Sequence, residues 1–411
     1  MQLLVYEHVS GGGFANEKLS PSILSEGYGM LRSLVSDFKA AGHNVTTSLD
    51  SRLKAFNPPI EADNIVSISF SNELNKNLKK FSKAVDAVYV IAPESGQTLQ
   101  KLVELVETSG GLSLNSQIDA IKNASNKMTT YEVLKERRLM VPETVMISIH
   151  EDVKHVKHVI KELGFPLVFK PVDGVGCCGL SVVKDESHVV AAVKKIAKES
   201  LSEHFVAQKL IEGISVSASL ISTGEKALPI TLNKQMVTLA SPYEKSSYNG
   251  GIVPFGHVLE KEALKAAQTA VESISGLRGY VGVDMALTRN GPVVIEVNPR
   301  LTTSYIGLRK AVNFNPAQAI IDAVLRRRLP ENIQRVGYAF FSKVKVPPVC
   351  QVLSETYGLK EMVSPPFPTV IDEPASALLA VHSNRLENAK MAFYRARKSL
   401  LKLFDRGDYE W

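Results

Sequence analysis

Asp284, Glu296 and Asn298, two carboxylates and an amide within one short stretch, have the types and spacing of a site for a hard cation. They fall in YVGVDMALTRNGPVVIEVNPR, residues 280–300. Apolar residues alternate from Val281 to Leu287, Arg289-Asn290-Gly291 supplies a turn, and an extended run resumes from Val293 to Asn298. The pattern reads as two antiparallel strands. In a hairpin turning near Asn290, Asp284 pairs with Glu296, and the two-residue period puts Glu296 and Asn298 on one face. Oxygen donors of this kind suit Mg²⁺ or Mn²⁺, ions usually held by a few carboxylates together with substrate phosphates. Acids at a solvent-facing hairpin end would look the same, so the triplet needs phosphate-binding parts elsewhere in the chain.

Two such parts precede it. NKMTTYEVLKERRLMVPETV places Lys127 at the start of an amphipathic helix that ends before Pro142, and a strand then leads to a helix from Val153 to Leu163. Next, FPLVFKPVDGVGCCGLSVV reads as a strand ending at Lys170, a loop with Gly174, Gly176 and Gly179, and a returning strand from Leu180. A glycine-rich tip can fold over phosphates, its amides donating hydrogen bonds while a lysine supplies charge. A plain turn is the alternative.

The elements that must position these residues start at the N-terminus. Leu3 to Tyr6, Val45 to Ser48, Ile65 to Ser69 and Ala87 to Ile91 read as buried strands, with helices over Glu26 to Ala41, Asn72 to Ser82 and Thr98 to Thr108. This alternation predicts a parallel α/β sheet, whose ligands bind at the carboxyl ends of the strands. The loops there are Glu7 to Gly13 and Ala92 to Glu94. Gly11 to Gly13 can admit an anion to backbone amides or merely clear a helix start.

Composition narrows the class. With 411 residues, 45% hydrophobic and 22% charged, the chain can bury a large core and should divide into two or three domains. A formal charge of +6 favours small anions such as nucleotides but is far from the dense basic stripe of a nucleic-acid binder. No apolar run approaches the roughly 20 residues that span a bilayer. The start, MQLLVYEHVSGGG, lacks the features of a signal peptide, which predicts a cytoplasmic protein. Three cysteines, two adjacent as Cys177-Cys178, form neither a disulfide framework nor a metal spacing.

Taken together, the motifs resemble those of ATP-grasp carboxylate–amine ligases, from about Leu114 to Ala323, with an α/β domain ahead of them. The resemblance implies an N-terminal parallel α/β pre-ATP-grasp domain followed by an α+β ATP-grasp fold. Lys127 and Lys170 resemble the lysines that contact ATP phosphates, and Asp173, Gly174, Gly176 and Gly179 the mobile loop over them. Gln208, Lys209, Leu210 and Ile211 resemble the hinge that reads adenine through backbone groups. Asp284, Glu296 and Asn298 resemble the ligands of two Mg²⁺ or Mn²⁺ ions, and Arg300 the catalytic arginine that follows. Where many members place an acid for the ribose, this chain has Ser215, and its hinge opens with Gln208 instead of the more usual glutamate. The chemistry implied is attack of a carboxylate on the γ-phosphate and displacement of phosphate by an amine. No nucleophilic side chain is needed, so Cys177 and Cys178 are expected to pack the loop.

The implied partners are a small-molecule carboxylate and an amine, without nucleic acid or membrane; a homodimer is compatible. The implied domains are 1–114, 115–204 as a small lobe, 205–330 as the metal-bearing lobe, and 331–411 as a C-terminal extension. Within the last, Tyr338 to Val346 reads as a strand and Arg385 to Phe404 as a basic amphipathic helix. That helix is expected to dock on the body, with a membrane surface or acidic partner as the rival reading. Leu232 to Gln235, Ser241 to Gly251 and Thr302 to Tyr305 are expected to choose the substrate. YEHVSGGG, Ala92-Pro93-Glu94, Tyr248-Asn249-Gly250-Gly251 and NPRLTTSYIG resemble stretches of tyramine–glutamate ligases of methanofuran synthesis. On that resemblance Arg300, Lys234 or Lys245 could hold carboxylates, and Tyr243, Tyr248 or Tyr305 could stack on an aromatic amine. A related ligase for another amino acid or peptide is the next reading. From a different class, an ATP-binding regulatory module without turnover is the rival.

Overall fold

A computed structural model describes residues 1–174 and 176–405; Val175, inside the expected phosphate loop, lies outside the described residues. The chain opens with β1 (Gln2–Glu7), α1 (Pro21–Ala40), β2 (Asn44–Asp50), α2 (Ser51–Lys54), β3 (Asn64–Ile68), α3 (Ser71–Ser82), β4 (Ala87–Ile91) and α4 (Thr98–Thr108). The four strands form a parallel sheet in the order β3-β2-β1-β4. β4 reads AVYVI and is buried along its whole length although it ends the sheet, because both of its faces are covered and the Ser113 segment bridges its outer edge at Val88.

α5 (Ile118–Ser125) and α6 (Lys127–Glu136) lead into a small lobe. Asn126 caps α6, its Oδ1 accepting from the Met128 and Thr129 amides, which fixes Lys127 at the first helical position. The lobe contains β5 (Thr144–Ser148), α7 (Val153–Ile160), β6 (Leu167–Pro171), β7 (Ser181–Val183), α8 (Val189–Glu199) and β8 (His204–Lys209). Its antiparallel sheet runs β5-β8-β6-β7, with Val156, Ile160, Val189, Ala192 and Ile196 of the helices packed on Phe169 and Phe205. The expected lobe boundary after residue 204 therefore cuts into β8, whose ladder partners are β5 and β6.

The large lobe contains β9 (Ile214–Thr223), β10 (Ala227–Thr238), β11 (Ser247–Val253), α9 (Glu260–Glu272), β12 (Arg278–Thr288), β13 (Gly291–Asn298), α10 (Tyr305–Ala311) and α11 (Pro316–Arg326). The tail adds β14 (Tyr338–Val346), α12 (Leu353–Thr356), β15 (Met362–Ser364), β16 (Ala375–Ser383) and α13 (Leu386–Phe404). One sheet spans both, in the order β13-β12-β9-β10-β11-β14-β16-β15. The expected C-terminal extension is thus no separate body, because β14 pairs directly with β11. The apolar side of α13, Phe393, Ala396, Leu400 and Phe404, covers Val344, Val346, Leu379 and Val381, so this helix is docked as expected. Among the described residues no helix is long and apolar enough to cross a membrane.

Alternation assigns the two faces of the large sheet. Val216, Ala218 and Leu220 of β9 and Val281, Val283 and Met285 of β12 join a core beneath α9. The other face carries Ser217, Ser219, Asn233, Tyr280 and Asp284, and meets the N-terminal domain through one shared core of Tyr28, Leu31, Leu34, Ile306, Phe341 and Leu378. A polar face held against a second domain is the setting of a cleft site.

Candidate active site

The candidate metal triplet lies on the hairpin that its pattern requires. Asp284 sits opposite Glu296, and Asn298 opposite Gly282, across the β12–β13 ladder. Asp284 Oδ2 accepts from Asn298 Nδ2 at 3.2 Å, and its Oδ1 accepts from Gln235 Nε2 of β10 at 2.9 Å. The first bond uses the Asn298 amide nitrogen and leaves its Oδ1 available to a cation. Burial, and then the neighbouring Glu296 charge, push the Asp284 carboxyl up to about 6. Burial also raises Glu296, but Lys127 and Lys170 outweigh it and the carboxyl is lowered.

The lysines come from the small lobe. Lys127 Nζ lies 3.1 Å from Glu296 Oε1 and donates to the Gly174 carbonyl at 2.7 Å. Its backbone amide donates to the Val172 carbonyl, so the start of α6 is tied to the entrance of the glycine-rich loop. Lys170, buried at the end of β6, is lowered to about 8 by burial first, with Glu296 opposing and Lys127 adding to the shift. The donor set fits divalent cations: two half-buried carboxylates and a buried amide lie together, and in this structure a lysine ammonium partly neutralises them.

The loop is anchored on both sides. Asp173 Oδ2 accepts from the Gly96 amide of the N-terminal domain, and the Gly179 amide donates to Glu199 Oε2 of α8. Gly176 and Gly179 both take positive φ, at 61° and 67°. Three buried side-chain oxygens among the described residues have no hydrogen-bond partner: Glu94 Oε1, Asp173 Oδ1 and Ser181 Oγ. Asp173 lies in the loop and Glu94 holds Arg300, whereas Ser181 pairs with Phe169 and faces the small-lobe core under α7 and α8. Such atoms cost about 1–3 kcal/mol each when left unpaired, so Glu94 Oε1 and Asp173 Oδ1 keep acceptor capacity for a bound donor.

Arg300 is fixed by Glu94, which follows β4, through Nε to Oε2 at 2.9 Å, and by its own NH1 bond to the Leu301 carbonyl. Glu94 is only 4% exposed, so this is a buried pair carried from one domain to the other. Glu7, at the end of β1, accepts from the Val9 and Ser10 amides and the Ser10 hydroxyl, and thereby shapes the first glycine loop.

Most side-chain and amide donors of the hinge segment are already engaged within the small lobe. Gln208 donates its side-chain amide to Thr144 Oγ1, and Lys209 Nζ folds back to the Gly164 and Phe165 carbonyls. The Lys209 and Leu210 amides are taken by Glu143 and Pro166 carbonyls, whereas Ile211 N–H makes no backbone bond among the described residues. Ser215 lies opposite Ala286 and shares its face with Ser217, which is opposite Asp284.

Several expected substrate contacts fall elsewhere. Ser241 to Gly251 is a loop only as far as Ser246; Gly250, at φ +133°, and Gly251 belong to β11, where a Cβ on Gly250 would meet the Phe341 carbonyl at 2.1 Å. Tyr243 is 73% exposed and Lys245 is exposed. Lys234 lies over the Phe255 ring beside the core under α9, and the Tyr305 hydroxyl donates to Asp37. Tyr248 remains, facing Lys343 at 5.9 Å from its ring centre. Neither Lys343 nor its ion-pair partner Glu26 was expected from sequence; the available signal was the polar-apolar alternation of β14, which sends Lys343 away from α13.

Family comparison agrees with this geometry. The ATP-grasp domain matches residues 124–304 and the pre-ATP-grasp 3 domain matches residues 43–121. The chain is 30% identical over 309 residues to tyramine–L-glutamate ligase of Methanocaldococcus fervens, covering 75% of this chain and 89% of the relative. It is 29% identical over 311 residues to the Methanocaldococcus jannaschii enzyme of the same name, covering 75% and 84%. The L-amino acid ligase from Bacillus licheniformis superposes with a TM-score of 0.65 at 17% identity, over 97% of each chain, a likeness of fold alone. The chain belongs to the ATP-grasp ligases. It is an ATP-dependent carboxylate–amine ligase that forms a C–N bond, and enzymes of this family use ATP with divalent metal ions.

Proposed function

We propose that this chain joins the side-chain carboxylate of glutamate to a primary amine, with tyramine as the amine, releasing ADP and phosphate. A carboxylate oxygen attacks the γ-phosphorus, the bond to the bridging oxygen of ADP breaks, and an acyl phosphate results. The amine nitrogen then attacks the acyl carbon, the C–O bond to phosphate breaks, the nitrogen loses a proton and the amide remains. Lys127 and Lys170 neutralise phosphate oxygens, the loop from Asp173 to Gly179 covers them, and Arg300 offers its charge to the oxygens developing at the acyl centre. Asp284, Glu296 and Asn298 would hold two Mg²⁺ or Mn²⁺ ions, which would supply the remaining charge neutralisation. Gln208 to Ile211 and Ser215 hold the nucleoside. No protein nucleophile takes part, and closure of the loop keeps water from the acyl phosphate.

What carries the reading is one arrangement: two carboxylates, two lysines and a domain-bridging arginine around a glycine-rich hairpin, in a chain similar over most of its length to two tyramine–L-glutamate ligases. Incubation with ATP, Mg²⁺, glutamate and tyramine tests it by mass spectrometry. The expected product is one water lighter than the two substrates combined. Its absence, while other acid–amine pairs react, assigns the enzyme to another amino acid or peptide; no phosphate release with any mixture favours a binding module.

A further inference from the structure

The polar face of the large sheet continues beyond the metal site to a charged pair that the chemistry above does not use. Lys343 of β14 and Glu26 of α1 meet at 2.6 Å, with side chains only 9% and 22% exposed. Each has a second anchor. Lys343 Nζ also donates to Ser22 Oγ at 2.8 Å and lies over the Tyr248 ring, while Glu26 Oε2 accepts from Thr303 Oγ1 at 2.9 Å. Thr303 is three residues past Arg300, so the pair sits beside the segment that carries the catalytic arginine.

The sheet shows that the pair faces the same space. Phe341, two residues before Lys343, points into the core shared with the N-terminal domain, whereas Val344 and Val346 point under α13. Lys343 therefore faces the side that carries Asp284 and Gln235. The electrostatics agree: the Cys177 thiol at the loop tip is pushed up to about 11 by burial first, then by Glu26 and Glu296. The charges of the pair and of the metal site thus act on one loop residue.

A nearly buried ion pair beside a reaction centre is costly to maintain as structure alone. It is well suited to a ligand with one charge of each sign, because the ligand's ions replace the partners while the secondary anchors hold both side chains in place. We propose that Lys343 and Glu26 bind the α-carboxylate and α-ammonium of the acid substrate, leaving its second carboxylate to reach Arg300 and the metal ligands. An amine such as tyramine has no anion to offer Lys343, so the pair selects the acid. Glu26 and Lys343 both lie outside the two matched domain segments, so acid selectivity resides in α1 and β14, apart from the phosphate machinery.

This inference rests on the ligase reading for its choice of amino acid, and equilibrium binding separates the two. L-glutamate, glutarate (no ammonium) and 4-aminobutyrate (no α-carboxylate) are titrated by calorimetry into wild type, Lys343→Met and Glu26→Gln, each with Mg²⁺ and a non-hydrolysable ATP analogue. Wild type should bind L-glutamate about ten- to hundredfold more tightly than either analogue. Lys343→Met should erase the preference over 4-aminobutyrate and Glu26→Gln that over glutarate, with affinity for the ATP analogue unchanged in both. Wild type that fails to bind or discriminate, or folded variants with wild-type glutamate affinity, overturns the assignment. Should a variant not fold, Lys343→Gln or Glu26→Ala replaces it, and wild-type glutamate affinity in the folded replacement again overturns the assignment. Selective glutamate binding without phosphate release for any amine sinks the ligation reading and leaves this one standing.

Discussion

Lys127 Nζ stands 3.1 Å from Glu296 Oε1, joining the first turn of a small-lobe helix to the edge strand of the large sheet. The pair spans the cleft and brings a cation to the carboxylate expected to hold metal. Glu296→Gln keeps the shape but removes the charge. Turnover should fall by orders of magnitude while the melting temperature stays close to wild type, because Lys127 retains its bond to the Gly174 carbonyl. Near-normal kcat in the variant would show that Glu296 is not a metal ligand.

Lys170 is buried with its ammonium lowered to about 8. Lys170→Ala should raise the KM for ATP by about ten- to hundredfold, the worth of one charge-assisted contact, with a smaller effect on the acid and amine. In wild type the ATP KM should rise as pH passes about 8, and Lys170→Arg should remove that rise. The folded-state value lies below the unfolded one. Protein without nucleotide or metal should therefore gain stability as pH climbs from about 8 towards the ordinary lysine value of 10.5. Unchanged ATP affinity in the alanine variant would remove Lys170 from the phosphate contacts.

Asp284 behaves in the opposite sense. Its carboxyl is raised to about 6 from an ordinary 3.8, so the folded state holds a proton that the unfolded state has released. Metal-free protein should lose stability as pH rises across that window, and Asp284→Asn should flatten the dependence. Mg²⁺ affinity, which needs the carboxylate, should strengthen over the same range with proton uptake reversed into release. A pH-independent Mg²⁺ affinity between pH 5 and about 7 would contradict it.

Gly250 tests the sheet. Its φ of +133° and the 2.1 Å approach of the Phe341 carbonyl to a built Cβ leave no room for alanine. Gly250→Ala should destabilise by about 3 kcal/mol or more and separate β11 from β14, read as a large fall in denaturation midpoint. Wild-type stability would mean that the β11–β14 junction can shift freely.

The cysteines in the loop should be dispensable. Burial pushes the Cys177 thiol up to about 11 and Cys178 upward as well, so neither is an activated nucleophile. Cys177→Ala should keep most of the turnover, and iodoacetamide labelling at neutral pH should be slow. Loss of activity on mild alkylation, matched by the alanine variant, would restore a covalent role.

Local pattern was enough for much of this. The period of two around Asn290 determined that Asp284 would oppose Glu296, because register in a tight hairpin follows from the turn. The amphipathic period put Lys127 at the start of a helix, and the alternation of strands and helices before it announced a parallel sheet. Long-range pairing was not legible. Nothing near Tyr338 to Val346 states that β14 will bond to β11, or that Lys343 will reach Glu26 from 317 positions away. The same is true of Arg300 and Glu94, separated by 206 positions, and of Gly250, whose φ serves a neighbouring strand and not a pocket. Short-range order is encoded by turn chemistry and side-chain period within a few residues. Which strands become neighbours, and which charges are buried together, was decided only when the N-terminal domain closed on the polar face of the large sheet.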